Sequence, residues 1–382
     1  MTTDPRGGHG APQPQIPDAD PGSLADVLPS AAGLLGVMLP GHATSVLDGE
    51  PAEAVTVLLI DGLGWWPWQM QVDSTPTLRA MEQARLVTTV PSTTPTALAS
   101  LGTGLPPGGH GIVGAAFRLP EDGRVLHPLT WRGDPHPQAV QPEATVFEQV
   151  LTAGQPVARI GARDYSDSGL TRAVLRGGDY IGADTPDEVV QAIASRRRGL
   201  TYAYLPDLDR VGHVYGVDSA QWRDCLREID TMVERILAAV GDGHHLVVTA
   251  DHGMVDCPTH ARVVMETLPL FDAVVQVAGE PRLRHVYVRE GTAGAIRSAW
   301  LDHLGDRAWV LDREEMLAAG LMGDMDPDLA DRVGDIVVIA REDTVLTSEV
   351  DTLVSSLIGQ HGSVTPVEMH IPLLRGWGHG RG

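Results

Sequence analysis

The sequence predicts an α/β fold, a doubly wound and mostly parallel sheet with helices on both faces and a small inserted α+β lobe. Three observations carry this. Apolar runs at Val55–Ile60, Gln155–Ile160, Thr201–Leu205 and His245–Ala250 are each followed by polar or glycine-rich residues, as buried parallel strands are. Between the last two runs, Trp222, Cys225, Leu226, Ile229, Met232, Val233, Ile236, Leu237 and Val240 recur at helical spacing. Strand–helix–strand alternation of this kind builds a parallel sheet covered on both faces. Third, the texture changes from about Cys257 to Leu346, where short strands mix with one helix and acidic loops.

Taken in order, residues 1–22 are rich in Pro, Gly and Asp and have no apolar signal core, which predicts a disordered tail. The apolar stretch Ala31–Leu39 is about half the ~20 residues a membrane-spanning helix needs. Val55–Ile60 ends at Asp61-Gly62, placing Asp61 at a strand's C-terminal end. Pro95–Gly102 reads as a helix, with Pro in its first turn and threonines at the cap. Residues 257–346 are expected to form the inserted lobe, with strands at Ala273–Val277, His285–Val288 and Asp335–Ile339 and a helix at Thr292–Leu304. The expected core is then 23–256 together with 347–382.

Composition narrows the function. The chain has 382 residues, 43% hydrophobic and 20% charged, as a globular protein should. Its net charge of −22 repels nucleic-acid polymers and anionic membranes, so neither is an expected partner. Lys and Asn are absent, so every one of its basic side chains is Arg, which codon bias explains more simply than selection for arginine chemistry. Two cysteines, Cys225 and Cys257, imply no disulfide framework, and a cytoplasmic protein is expected. No pattern in the chain specifies an oligomer.

Six potential metal ligands stand in short clusters: Asp61, Asp209 with His213, Asp251 with His252, and His361. Six oxygen and nitrogen ligands suffice for two divalent ions, three ligands each, with positions left open for substrate. Asp209 and His213 are four apart and converge on one ion if the segment is helical. Each cluster also has a plainer reading: a polar loop, a hydrogen-bonded strand terminus, or a structural histidine. The turn Pro91-Ser92-Thr93-Thr94-Pro95-Thr96 offers a hydroxyl nucleophile at a helix start, where the positive helix end favours the alkoxide; a simple capping threonine is the alternative. Trp65, Trp66 and Trp68 follow Asp61 and serve either packing or stacking on an aromatic leaving group. Arg172 and Arg176 are candidates for holding a substrate anion, whereas Arg196–Arg198 reads as a solvated turn.

The string from Thr94 to Gly111, including Thr103-Gly-Leu-Pro-Pro-Gly-Gly-His110-Gly111, resembles the nucleophile region of the nucleotide pyrophosphatase/phosphodiesterase family of the alkaline phosphatase superfamily. Counting back from Gly104 by that family's spacing lands on Thr94. Asp61, Asp209-x-x-Gly-His213, Asp251-His-Gly-Met254 and His361-Gly362 follow in the family's order. The resemblance implies an alkaline-phosphatase-like core. It implies one metal on Asp209, His213 and His361, a second on Asp61, Asp251 and His252, and Thr94 as nucleophile. The metals would be zinc, with manganese tolerated by the same ligands. The activity implied is hydrolysis of phosphodiester or pyrophosphate bonds in small phosphorylated substrates such as nucleotides, through a phospho-threonine intermediate. Many members carry an Asn shortly after the His-Gly pair; here Ala115 stands in that place. Backbone amides near Thr94 or an arginine would have to stabilise the phosphoryl charge instead. The sulfatase branch is disfavoured, because neither Cys225 nor Cys257 lies in a Cys-x-Pro-x-Arg context. A phosphomonoesterase or phosphonate hydrolase on the same scaffold, and a non-catalytic metal-stabilised binding protein, are the alternatives.

Overall fold

The structure is a computed structural model that describes residues 13–18, 20–42, 44–133 and 135–378. Its main sheet has seven strands: β1 (Ala54–Ile60), β2 (Glu82–Val87), β3 (Val157–Gly161), β4 (Asp179–Gly182), β5 (Gly199–Leu205), β6 (His244–Thr249) and, from the end of the chain, His370–Trp377. The spatial order is β2, His370–Trp377, β6, β1, β5, β3, β4. All neighbours run parallel except His370–Trp377, which is antiparallel to both β2 and β6. The mixed α/β architecture is the one expected from the apolar runs.

β1 lies mid-sheet and every one of its seven residues is buried, which is why its sequence is apolar without alternation. The predicted strands appear within two residues of their expected bounds, except that the one expected at Ala273–Val277 runs on to Glu280. β2, β4 and the last strand were not foreseen. β2 is an edge strand whose first four residues, Glu82-Gln83-Ala84-Arg85, are exposed or half-buried, so it carries no long apolar run. The last strand includes Pro372 and Gly376, which mask a strand pattern.

Helices cover the sheet. α1 (Thr94–Thr103) is buried along its whole length. α2 (Asp207–Tyr215) follows β5 after a single proline. α3 (Ala220–Ala239) is capped by the Ser219 hydroxyl and buries Trp222, Leu226, Ile229, Val233 and Ile236 along one stripe.

A separate four-stranded antiparallel sheet lies within residues 274–340. Its strands are β7 (Val274–Glu280), β8 (Leu283–Val288), β9 (Ala308–Asp312) and β10 (Ile336–Ala340), in the order β7, β8, β10, β9. The helix α4 (Ala293–Leu304) packs Ile296, Trp300 and Leu304 into a second apolar cluster with Val286, Val310 and Val338. The opposite pleat, with Leu283, Leu311, Val337 and Ile339, joins the main core.

The tail expected over 1–22 needs a correction at its end; residues 1–12 and 19 lie outside the described residues. Asp20 pairs antiparallel with Arg85, and the Gly22 carbonyl accepts from Val87 N–H at 3.2 Å, so this stretch runs along the exposed edge of β2 and satisfies its backbone. No helix among the described residues is long and apolar enough to cross a membrane.

Candidate active site

Asp61 is the first residue past β1, and its N–H donates to the Leu205 carbonyl at the end of β5. Asp209 lies in the first turn of α2, directly after β5. Asp251 and His252 follow β6. Three neighbouring parallel strands thus deliver carboxylates to one edge of the sheet. Gly62 makes this convergence sterically possible: its φ is +73°, and a Cβ there would sit 3.0 Å from the Asp209 Cα. His361 arrives from the far end of the chain, following a two-residue strand, Gly359–Gln360, that pairs with Val255–Asp256.

The six candidate ligands meet in one place. His213 Nε2 is 3.3 Å from an Asp209 oxygen and 3.3 Å from His361 Nε2, and His361 Nε2 is 3.8 Å from Asp209 Oδ1. His252 Nε2 lies 3.5 Å from Asp61 Oδ1 and 3.6 Å from Asp251 Oδ2. Asp61, Asp251 and His252 form one group of potential metal ligands; Asp209, His252 and His361 form another, with His252 between them. His213 was expected in this second group. Its Nε2 is close to both Asp209 and His361, so the distances also support the trio Asp209, His213 and His361.

The donor chemistry fits cations. Each of the three histidines has its Nδ1 against a backbone carbonyl: Gly359 at 2.7 Å from His213, Gly253 at 3.0 Å from His252, and Ser92 at 3.0 Å from His361. Donation to a carbonyl places the proton on Nδ1, which turns each Nε2 lone pair into the site. Two such lone pairs facing each other at 3.3 Å repel unless an ion lies between them. Asp61 Oδ1, Asp209 Oδ1 and Asp251 Oδ2 are buried without a hydrogen-bond partner, although each belongs to a carboxyl group that should be fully satisfied when buried. Burial, with Asp251 and Asp209 close by, raises the Asp61 carboxyl well above the usual carboxylate range. Burial also raises Asp209 and, helped by His252 and His213, holds His361 well below its usual range. Each of these costs is relieved by divalent ions.

Thr94 opens α1 and is buried; its Oγ1 lies 3.2 Å from His252 Nε2. Thr93, the residue before, caps the helix in extended conformation and makes no capping bond with its side chain. The threonine turn is tied to the His361 loop, because Ser92 Oγ donates to Ser363 O at 2.7 Å and accepts from Gly362 N–H at 3.1 Å.

Two cavities meet at Thr94. The first, of 430 Å3, is lined by Leu98, Leu129, Tyr165, Leu170, Tyr180 and Tyr204 beside Asp61 and Asp209. The second, of 740 Å3, lies between Thr94 and the edge of β7, and Ala115 is part of its wall.

Several sequence expectations resolve here. Trp68 is fully buried and donates to Thr75, Trp65 packs edge-on against it, and Trp66 donates to His370; none of them lines either cavity, so these tryptophans pack. Arg176 holds Glu148 and the carbonyls of Gln141 and Pro142, and Arg172 pairs loosely with Asp167, so the anion-holding role expected for them is corrected: both are committed elsewhere. Cys257 is buried and its thiol is pushed up to about 12 by desolvation, which makes it an inert packing residue. Tyr204, which donates its hydroxyl to Asp61 Oδ2, was missed, as were Arg159 and Glu280. Tyr204 sits inside a strand and Glu280 ends one, and alternation alone does not tell which face meets a site.

Comparison with known proteins gives the family and the fold. The chain matches the model of the type I phosphodiesterase / nucleotide pyrophosphatase family over residues 55–364, and it belongs to that family. Among solved structures it resembles murine ectonucleotide pyrophosphatase / phosphodiesterase 5, an inactive variant in complex with AMP (TM-score 0.70, 18% identity, 84% of this chain and 87% of that one). It also resembles phosphonoacetate hydrolase from Sinorhizobium meliloti 1021 in complex with phosphonoformate (TM-score 0.65, 19% identity, 85% and 90%). At these identities the likeness is one of fold. A phosphopentomutase from Anaeromyxobacter sp. (strain K) is 31% identical over 115 residues, 29% of this chain and 28% of that protein, so the chain aligns with under a third of that relative's length.

Proposed function

We propose that the protein is a metal-dependent hydrolase of phosphodiester or pyrophosphate bonds in small phosphorylated substrates such as nucleotides. One observation carries the reading: a helix-opening hydroxyl, Thr94, lies 3.2 Å from a histidine nitrogen shared by two groups of ligands whose carboxylate oxygens lack partners. Two divalent ions, zinc or manganese, on Asp61/Asp251/His252 and on Asp209/His213/His361 would supply the Lewis acidity that lowers the pKa of a hydroxyl or a water and offsets phosphoryl charge. Thr94 Oγ1 attacks phosphorus as the bond to the leaving oxygen breaks, giving a phospho-threonine ester. Water then attacks the same phosphorus, the bond to Oγ1 breaks, and the Thr94 hydroxyl is restored. Tyr204, bonded to Asp61 Oδ2, fixes which Asp61 oxygen faces the site.

The first cavity, apolar with four tyrosines on its wall, suits an aromatic arm such as a nucleobase; the AMP held by the murine relative supports that assignment. A phosphomonoesterase or phosphonate hydrolase would call for a free cation beside the phosphoryl oxygens. The arginines of the cavities are otherwise engaged: Arg159 on the Leu175 and Gly178 carbonyls, Arg210 on Asp207, and Arg284 on Asp351. A purely structural metal role leaves the buried Thr94 hydroxyl unexplained. Unpaired cysteines suit a reducing compartment, and a cytoplasmic location is part of this reading.

The test compares bis(p-nitrophenyl) phosphate with p-nitrophenyl phosphate on zinc-loaded wild type and T94A. A strong diester preference, abolished by the substitution and by chelation, is expected. Preference for the monoester would move the protein to the phosphatase reading, and cleavage of neither by the zinc-loaded protein would overturn the esterase assignment.

A further inference from the structure

Charge that gathers on the phosphoryl oxygens as Thr94 attacks is best met by hydrogen-bond donors already in place. Ala115, which stands where many family members carry an Asn, ends in a methyl group and supplies none. Arg284, Gln360 and Ser348, on the same wall of the second cavity, are spent. Arg284 serves Asp351 and the Leu346 carbonyl, Gln360 gives its amide to the Val354 and Leu357 carbonyls, and Ser348 donates to Glu266.

Thr93 is placed differently. It is buried and lines this cavity beside Thr94 and Ala115. At a helix start a threonine hydroxyl ordinarily accepts from the N–H of the second or third helical residue. Here the second is Pro95, which has no N–H, and the Thr93 side chain makes no capping bond. Its backbone is pinned on both sides. Thr93 N–H donates to the Pro91 carbonyl at 3.0 Å, its carbonyl accepts from Ala97 N–H at 2.9 Å, and Ser92 is tied to the His361 loop. A β-branched side chain on a fixed backbone has little χ1 freedom, so the hydroxyl oxygen is held and only its proton turns. Two directions are open to that proton: the Glu280 carboxyl, which the hydroxyl faces, and the cavity.

We propose that Thr93 donates a hydrogen bond from its hydroxyl to a non-bridging phosphoryl oxygen in the transition state of attack by Thr94, as the donor that Ala115 lacks. The inference rests on the phosphodiesterase reading and adds a second threonine to its machinery. The two neighbouring hydroxyls divide the work. Thr94 Oγ1, 3.2 Å from His252 Nε2, meets phosphorus, and Thr93 Oγ1 meets an oxygen turned toward the second cavity. A hydrogen bond to an ionised oxygen is stronger than one between neutral groups, and a donor on a fixed backbone needs no reorganisation as the charge appears.

The experiment compares p-nitrophenyl methyl phosphate with the separated Rp and Sp forms of p-nitrophenyl methyl phosphorothioate, on zinc-loaded wild type, T93V and T93S. Valine keeps the branched shape and removes the hydroxyl; sulfur accepts hydrogen bonds poorly. T93V should lower kcat/KM for the oxygen ester about 10^2-fold, and T93S should keep most of the rate. The form that sets sulfur against Thr93 has already lost the bond, so T93V should slow it only a few-fold and shift the Rp/Sp ratio. That ratio is measured within one protein and is independent of how much folded, metal-loaded enzyme a variant retains. If T93V slows all three esters by one factor, or none of them, the hydroxyl serves only Glu280 and the fold, and the proposal is overturned while the phosphodiesterase reading stands. If wild type cleaves no diester, that reading fails, and calorimetry with inorganic phosphate decides. Binding roughly tenfold weaker in T93V than in wild type and T93S upholds a phosphoryl-oxygen donor; equal binding overturns it.

Discussion

Thr94 depends on atoms that belong to other parts of the chain. Its hydroxyl meets His252 Nε2, which is oriented by the Gly253 carbonyl, and Ser92 two residues earlier fastens the His361 loop. Replacing Thr94 with Ala should lower kcat for a diester on the order of 10^3-fold or more while leaving two metals per chain by elemental analysis; a T94S variant should retain part of the rate. Loss of metal together with rate would mean that Thr94 is a structural cap. At this scale the sequence was readable where polar residues interrupt an apolar run, as at Asp61 and Asp251-His252, since a carboxylate at a buried strand end needs a partner. His361 became readable only through the ordered motifs of the family resemblance, because fourteen other histidines compete with it. Glu280 gave no signal. It terminates a strand whose interior is ordinary.

At the level of elements, the loop bearing His361 is held by a buried ion pair. Arg282, in the turn between β7 and β8, donates from Nε and Nη2 to the two Glu368 oxygens at 3.0 and 2.7 Å, with both side chains fully buried. Glu368 also accepts from Ser363 N–H at 3.1 Å, two residues past His361. The bidentate pair thereby links the four-stranded sheet to the ligand loop. Removing one partner strands the other: E368Q should cost about 3–5 kcal/mol and lower the thermal midpoint, with weaker zinc binding by titration. An unchanged midpoint would show that the pair is dispensable. Elements such as β1, β5, β6 and α3 were legible because periodicity and burial coincide there, whereas β2 and the last strand are exposed or broken by Pro372 and Gly376.

Across the whole molecule, the seven-stranded sheet carries Asp61, Asp209, Asp251 and His252 to one edge and the separate two-residue strand Gly359–Gln360 brings His361 to meet them, which no local pattern encodes; the sheet order follows from which apolar runs pair. The same close packing buries histidines away from the site. His285 receives Gly334 N–H on Nδ1 at 3.2 Å and donates from Nε2 to the Val113 carbonyl at 3.0 Å, so it must stay neutral, and burial lowers it to about 4. Its folded value lies below the unfolded value of 6.5, so its contribution is complete above pH 6.5 and is lost as pH falls toward 4. Over that window the loss amounts to about 3 kcal/mol for this one group. The thermal midpoint of wild type should therefore fall steeply between pH 6.5 and 4, and H285Q, less stable at neutral pH, should show a shallower slope. Equal slopes would remove His285 from the acid response.

The most direct test of a threonine nucleophile is the stereochemistry at phosphorus. A phosphodiester made chiral with sulfur, hydrolysed by the zinc-loaded enzyme in 18O-labelled water, should yield product of retained configuration, because two in-line displacements each invert the centre. Net inversion would mean that water attacks the substrate directly, and would contradict the role assigned to Thr94.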